Sequence, residues 1–230
     1  MFTIFAVAGA VSFIFFMMIE ETVGKNNESD EVEAVEEMDA DERKLLMKWS
    51  VVLALDMVGG AFIMNFVPYW FYLKFGVGPG AIGTFFGASR ILAAFSYYLG
   101  FRLATRFGAI RAIVMSRIPV SIINVLTPIL PGYTLVASLR GFMSLFAMID
   151  VPLRQSYLMG VIKSNRRASA VGFVTVVGRF TAAGAPVLTG YLFQYLSTSL
   201  PFYISGFFQF LSCSLMYLLF KDIRPPEELR

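Results

Sequence analysis

Hydrocarbon offers a backbone no hydrogen-bond partner, so a chain built of long apolar runs must satisfy its own amides as helices or a closed barrel. Such runs dominate this sequence. They cover residues 2–19, 49–73, 81–101, 109–130, 133–159, 169–196 and 201–220. At 1.5 Å per residue, each of the last six can cross about 30 Å of bilayer. The expected fold is all-α: a polytopic membrane helix bundle with seven transmembrane helices. Residues 1–19 form one helix, 20–48 a linker, 49–220 a six-helix bundle and 221–230 a tail.

Composition narrows the chemistry. The chain is 57% hydrophobic, against about 45–50% for soluble domains. It has no His and one Cys. A Ser-His-Asp triad, a His-ligated zinc and a His proton shuttle are therefore excluded. Cys213 can form neither an internal disulfide nor a CxxC site, and it reads as a small apolar helix residue. The sequence points to no enzyme, no metal and no cofactor.

The formal charge of +3 conceals a segregation, because eleven of the 16 acids lie between Glu20 and Glu42. Outside that segment the acids are Asp56, Asp150, Asp222, Glu227 and Glu228. Low hydrophobicity and clustered like charge make 20–48 a flexible acidic linker, ended by the basic stop Arg43-Lys44-Leu45-Leu46-Met47-Lys48. Elsewhere the cations sit at helix ends and inside helices, which is not the pattern of a nucleic-acid surface. The breaks alternate in character. Phe75 to Gly80, Pro131-Gly132 and Ser197 to Leu200 carry no charge, and Lys74 alone is out of place beside them. The other side carries Arg102, Arg106 and Arg111, then Lys163, Arg166 and Arg167, then Lys221 and Arg224. The positive-inside rule puts the basic loops, the linker and the carboxyl terminus in the cytoplasm of a plasma-membrane protein. The run at 2–19 is not a signal peptide, because no Lys or Arg precedes Lys25 and no small-residue cleavage site follows. It starts as though already inside the bilayer, the expectation for a truncated gene model or a split protein.

Three local motifs carry a family resemblance. The segment Phe101-Arg102-Leu103-Ala104-Thr105-Arg106-Phe107-Gly108-Ala109-Ile110-Arg111 resembles the cytoplasmic motif G-x-L-x-D-R-x-G-R-K of the major facilitator superfamily. Leu103, Arg106, Gly108 and Arg111 fit it, while Phe101 and Thr105 replace its first Gly and its Asp. The glycine permits a tight turn, and the arginines face anionic lipid headgroups or helix carboxyl ends. The segment from Gly178 to Gly190, with Gly184 and Pro186, resembles the Gly/Pro-rich motif of antiporter members. There, small residues let helices approach closely and Pro186 adds a kink. Asp150-Val151-Pro152-Leu153-Arg154-Gln155-Ser156-Tyr157 is similar to the end of the tenth helix in many members. The whole chain resembles the sixth helix, central loop and second half of a twelve-helix transporter. That resemblance implies secondary active transport of a small solute by alternating access.

A charge at the bilayer centre costs at least about 2.5–3.5 kcal/mol, so it needs a partner, a wet cavity or a task. The candidates are Asp56, Arg90, Arg117, Arg140, Asp150, Arg154 and Arg179. Arg117 and Arg154 lie near cytoplasmic ends and are expected to snorkel. Asp150 and Arg154, four apart, form an expected ion pair or gate. Arg90 and Arg179 lie near the midplane, and Arg140 resembles the membrane-embedded arginine of the family's fourth-helix motif. By the same resemblance, Asp56, Arg90, Arg140 and Arg179 sit on helices that line the central cavity. Two mechanisms stay open. In one, Asp56 or Asp150 takes up a proton as the cavity changes sides. In the other, the arginines bind an anionic cargo, with Asn65, Tyr69 and Gln155 supplying neutral hydrogen bonds. A seven-helix receptor is the competing reading, but helix 201–220 lacks the lysine that a retinal protein needs. A non-transporting subunit that works with a partner chain is another. The chain by itself is expected not to transport unless it dimerises or pairs with a missing amino-terminal half.

Overall fold

The computed structural model describes residues 39–163, 166–221 and 223. The expected helix at 2–19, the linker to residue 38 and most of the tail lie outside these residues. The described chain forms α1 (Ala40–Ile63), α2 (Val67–Phe75), α3 (Pro79–Phe107), α4 (Ala109–Leu126), α5 (Tyr133–Ala147), α6 (Asp150–Val161), α7 (Arg167–Ala182), α8 (Ala185–Tyr195) and α9 (Leu200–Phe220). No described residue lies in a strand.

The six expected units of the bundle are all present, with two boundary changes. α1 begins at Ala40, so the basic stop 43–48 is helix and not linker. Asp41 and Glu42 occupy its first turn, where carboxylates oppose the positive end of the helix dipole. Leu46 is fully buried, which gives the early turns a packing reason to form. α3 runs on to Phe107, so Arg102 and Arg106 sit in its last turns. Gly108, at φ 84°, ends α3 and starts α4; this positive φ is where only glycine turns without strain.

Three units are broken. α1 and α2 part at Met64–Phe66, α5 and α6 at Met148–Ile149, and α7 and α8 at Ala183–Gly184. Pro186 lies in the first turn of α8, so the expected proline kink is realised as a helix restart. Ala40–Phe75, Ala109–Leu126, Tyr133–Val161, Arg167–Tyr195 and Leu200–Phe220 are long and apolar enough to cross a membrane. α3 has the length, but Gly, Ser, Thr, Tyr and three arginines dilute its apolar content.

Two hydrophobic cores lie at opposite ends of the bundle. Toward the end bearing the basic loops, Trp49 stacks on Tyr157 at 5.0 Å and meets Phe220 edge-on at 5.0 Å. Toward the neutral-loop end, Trp70 packs on Phe202 at 4.7 Å and Phe71 on Tyr133 at 5.3 Å. α9 lies between α1 and α4, held close by glycines. A Cβ on Gly59 would stand 3.0 Å from the Ser205 carbonyl, and one on Gly206 would collide with Val125. One on Gly178 would collide with Met57. The close approach expected around Gly184 is therefore made by Gly178, since nothing lies within 4 Å of a Cβ on Gly184.

Lys74, the cation out of place in the loop pattern, has a local task. Its Nζ donates to the Pro128 carbonyl at 2.5 Å, beyond the carboxyl end of α4, and lies 4.9 Å from the Trp70 ring centre. At the opposite end, Lys163 Nζ donates to Asp39 Oδ2 at 2.5 Å, and Arg166 Nη1 donates to Glu42 Oε2 at 3.4 Å. These contacts tie the start of α1 to the loop between α6 and α7. The Lys163 ammonium lowers the pKa of Asp39 below its ordinary value, and Asp39 raises that of Lys163.

Candidate functional site

Between the two cores lie two charged sites. The first joins α1, α4 and α6. Arg117 Nη2 donates to Asp56 Oδ2 at 2.8 Å and to Asp150 Oδ2 at 2.6 Å, and Arg117 Nε donates to Asp150 Oδ2 at 3.0 Å. Arg154 Nη1 donates to Asp56 Oδ2 at 3.0 Å, and Arg154 Nε lies 3.1 Å from Asp150 Oδ2. Two cations and two anions thus close a neutral ring. Asp150 is 1% exposed and Asp56 6%, so neither could stand there ionised without these partners. All the guanidinium contacts converge on the Oδ2 atoms. Asp56 Oδ1 and Asp150 Oδ1 are buried without a hydrogen-bond partner.

Arg117 and Arg154 therefore do not snorkel. α4 places Arg117 eight residues into its length with its side chain toward α1 and α6, and the carboxylates found there outweigh the pull of the headgroups. The Asp150–Arg154 pair expected from their four-residue spacing is present.

The second site joins α4, α5 and α9 and contains no acid. Arg140 is 7% exposed. Its Nη1 donates to Asn124 Oδ1 at 3.4 Å and to Thr127 Oγ1 at 3.3 Å. Asn124 Nδ2 donates in turn to Gln209 Oε1 at 3.1 Å, and Gln209 Nε2 to Ser205 Oγ at 3.3 Å. The Phe202 ring centre lies 5.8 Å from the guanidinium carbon. Every group this cation bonds or stacks with is a neutral dipole or a ring face. Asn124, Thr127, Ser205 and Gln209 were not singled out in the sequence. The readable signal was an Asn and a Gln inside otherwise apolar runs.

Arg140 and Arg90 line one cavity of about 150 Å³, together with Ser89 and Ser144. Arg90 and Arg179 are both exposed on their helices, and neither forms an ion pair among the described residues. Asn65 is exposed at the break between α1 and α2, and Tyr69 is 51% exposed with its ring 6.3 Å from that of Phe193. Gln155 is exposed on α6, away from both charged sites' bonding. Arg106 and Arg111 are exposed on either side of Gly108, with Arg106 5.4 Å from the Phe107 ring centre. Among the described residues no cluster of His, Cys, Asp or Glu is arranged to hold a metal ion.

The comparisons with known proteins agree with this architecture. An uncharacterized membrane protein of Saccharomyces cerevisiae, YJR124C, is 30% identical over 166 residues. The alignment covers 70% of this chain and 37% of the yeast protein. The family model for the Major Facilitator Superfamily matches residues 49–230, which take in every helix from the body of α1 to α9. The chain belongs to the Major Facilitator Superfamily, a family of membrane transporters.

Proposed function

We propose that this chain forms one wall of a secondary active transporter that moves a small anionic solute by alternating access. The observation that supports this reading is Arg140: a buried guanidinium with only neutral partners, opening with Arg90 onto one cavity. A buried cation without a counter-ion is costly, and a transported anion supplies the missing charge. Arg179, Asn65 and Tyr69 extend the same path along exposed faces. A second six-helix bundle, either an amino-terminal half or another copy, provides the opposite wall. The 37% coverage of the yeast relative fits a larger working unit. The basic loops and the carboxyl terminus face the cytoplasm of the plasma membrane.

The test is uptake of labelled anions, cations and neutral solutes into vesicles carrying this chain together with the bundle that forms the opposite wall. The expected result is uptake of anions that Arg140→Gln abolishes. Uptake confined to cations or neutral solutes, or untouched by Arg140→Gln, would sink the anionic reading.

A specific observation favours proton coupling alongside it. Asp56 Oδ1 and Asp150 Oδ1 are buried and unbonded. If alternation pulls α1 and α6 together away from α4, Asp56 and Asp150 each lose Arg117 in a dry setting, and one of them takes up a proton. Asp56→Asn and Asp150→Asn are then expected to remove the pH dependence of uptake while exchange at fixed pH persists. A pH profile unchanged in both variants contradicts it.

A further inference from the structure

Where the head of a cargo sits also decides where its body must lie. α3 and α5 are joined at two levels. Near the neutral-loop end the Tyr133 hydroxyl donates to the Ala81 carbonyl at 3.0 Å, and deeper in the bundle the Ser96 hydroxyl donates to the Ser144 carbonyl at 2.8 Å. Between these joints several facing side chains are small, Ala88 and Ser89 on α3 and Ala137, Ser138 and Gly141 on α5. They leave a groove of about 510 Å³. That volume falls within the range of about 300–1,000 Å³ that holds drug-sized ligands.

The groove adjoins the arginine cavity, and Phe85 and Ser89 line both. Ser89 marks the junction. It is 9% exposed, and its hydroxyl is buried without a hydrogen-bond partner. No charged side chain lines the larger groove. Two arginines and an unpartnered hydroxyl thus lie beside an apolar groove.

Resting on the anionic reading above, we propose that the cargo is an amphipathic organic anion. Its carboxylate, sulfonate or phosphate head lies between Arg90 and Arg140 and accepts from Ser89, and its apolar body lies along the α3–α5 groove. A single-chain anion from solution and an anionic lipid present the same chemistry.

The experiment measures binding of n-alkyl carboxylates, acetate to decanoate, by calorimetry. The protein is this full chain with the bundle that forms the opposite wall, in phosphatidylcholine nanodiscs, corrected with empty discs. Affinity is expected to rise about fourfold per methylene until the groove is full. Decanol, lacking the charge, binds at least about tenfold more weakly than decanoate. Thr84→Phe and Ala88→Phe, both at exposed positions, flatten the chain-length series, weakening decanoate far more than acetate. An unflattened series in both variants, with acetate binding lost in Arg140→Gln, overturns the groove proposal and leaves the anion site standing. Acetate and decanoate binding that survives Arg140→Gln overturns the anion site itself. Replacing a quarter of the phosphatidylcholine by phosphatidylglycerol separates the sources. Weaker decanoate binding assigns the site to lipid, and unchanged binding assigns it to a solute.

Discussion

The two buried charged sites are built from the same side chain and differ in what surrounds it. Arg117 and Arg154 are answered by two aspartates, and the four groups sum to zero charge. Arg140 is answered by one amide, one hydroxyl and a phenyl face, the amide backed in turn by Gln209 and Ser205, and no anion balances it. A neutral ring is complete as it stands and ties α1, α4 and α6 together. A buried cation among dipoles lacks a counter-ion, and the proposed anion is what would supply one. The burial of the two sites is similar, so burial alone does not separate scaffold from binding site. The sign and balance of the neighbours do.

The comparison can be broken most sharply by removing one anion from the ring. Asp150→Asn leaves Arg117 and Arg154 short of a partner, and such a loss costs about 3–5 kcal/mol of stability. Denaturant unfolding in detergent would read it. Pairing Asp56→Asn with Arg154→Gln, which restores neutrality, should cost less than the sum of the two single changes by about 0.5–3 kcal/mol. Additive losses would mean that the ring is not one unit.

Arg140→Gln should behave in the opposite way. Stability holds or rises, because an uncompensated buried charge is gone, while anion affinity falls about tenfold to a hundredfold. The same unfolding assay and a binding titration check both halves of that statement. A destabilisation matching that of Asp150→Asn would erase the distinction between the sites.

A smaller effect probes the second site through its backbone support. Gly206→Ala forces α9 away from Val125 and the Ser121 carbonyl, and overpacking of this kind costs about 1–3 kcal/mol. It should loosen the Asn124–Gln209 bond and weaken anion binding while the ring of four stays closed. Loss of the ring's stability coupling in this variant would show that the two sites move together.

The smallest effect lies outside the membrane, at the exposed Asp39–Lys163 pair. The pKa of Asp39 is lowered in the fold, so its contribution is present above the ordinary aspartate pKa of 3.8 and is lost as pH falls through the lowered value. The pKa of Lys163 is raised, so its contribution is present below the ordinary lysine pKa of 10.5 and is lost as pH rises through the raised value. Between those limits Asp39→Asn should lower stability slightly, and added salt should erase the difference. A loss as large as that of the buried ring would contradict the ranking.

Much of the bundle could be read from the sequence because long apolar runs and loop charge have few alternative explanations in a bilayer. Asp150 and Arg154 were legible as a pair because helical spacing fixes which residues meet. Arg117 was not. Snorkelling and internal pairing make the same demand on a sequence, and only the arrival of α1 and α6 beside α4 decides between them. The amide chain from Asn124 to Ser205 escaped for a similar reason, since its members come from α4 and α9 and no spacing along one helix reveals them. The start of α1 was misplaced because charged residues at 41–48 look like linker until Leu46 is seen to pack.

The protein's two tryptophans fall one in each core: Trp49 against Tyr157 and Phe220, and Trp70 against Phe202 and Phe71. The molecule therefore carries a separate optical reporter at each end. Trp70→Phe leaves emission from the basic-loop end alone, and Trp49→Phe leaves emission from the neutral-loop end, nearer the proposed groove. A ligand that enters the groove should move the second signal and spare the first, so the two halves of the bundle can be watched independently without any added label.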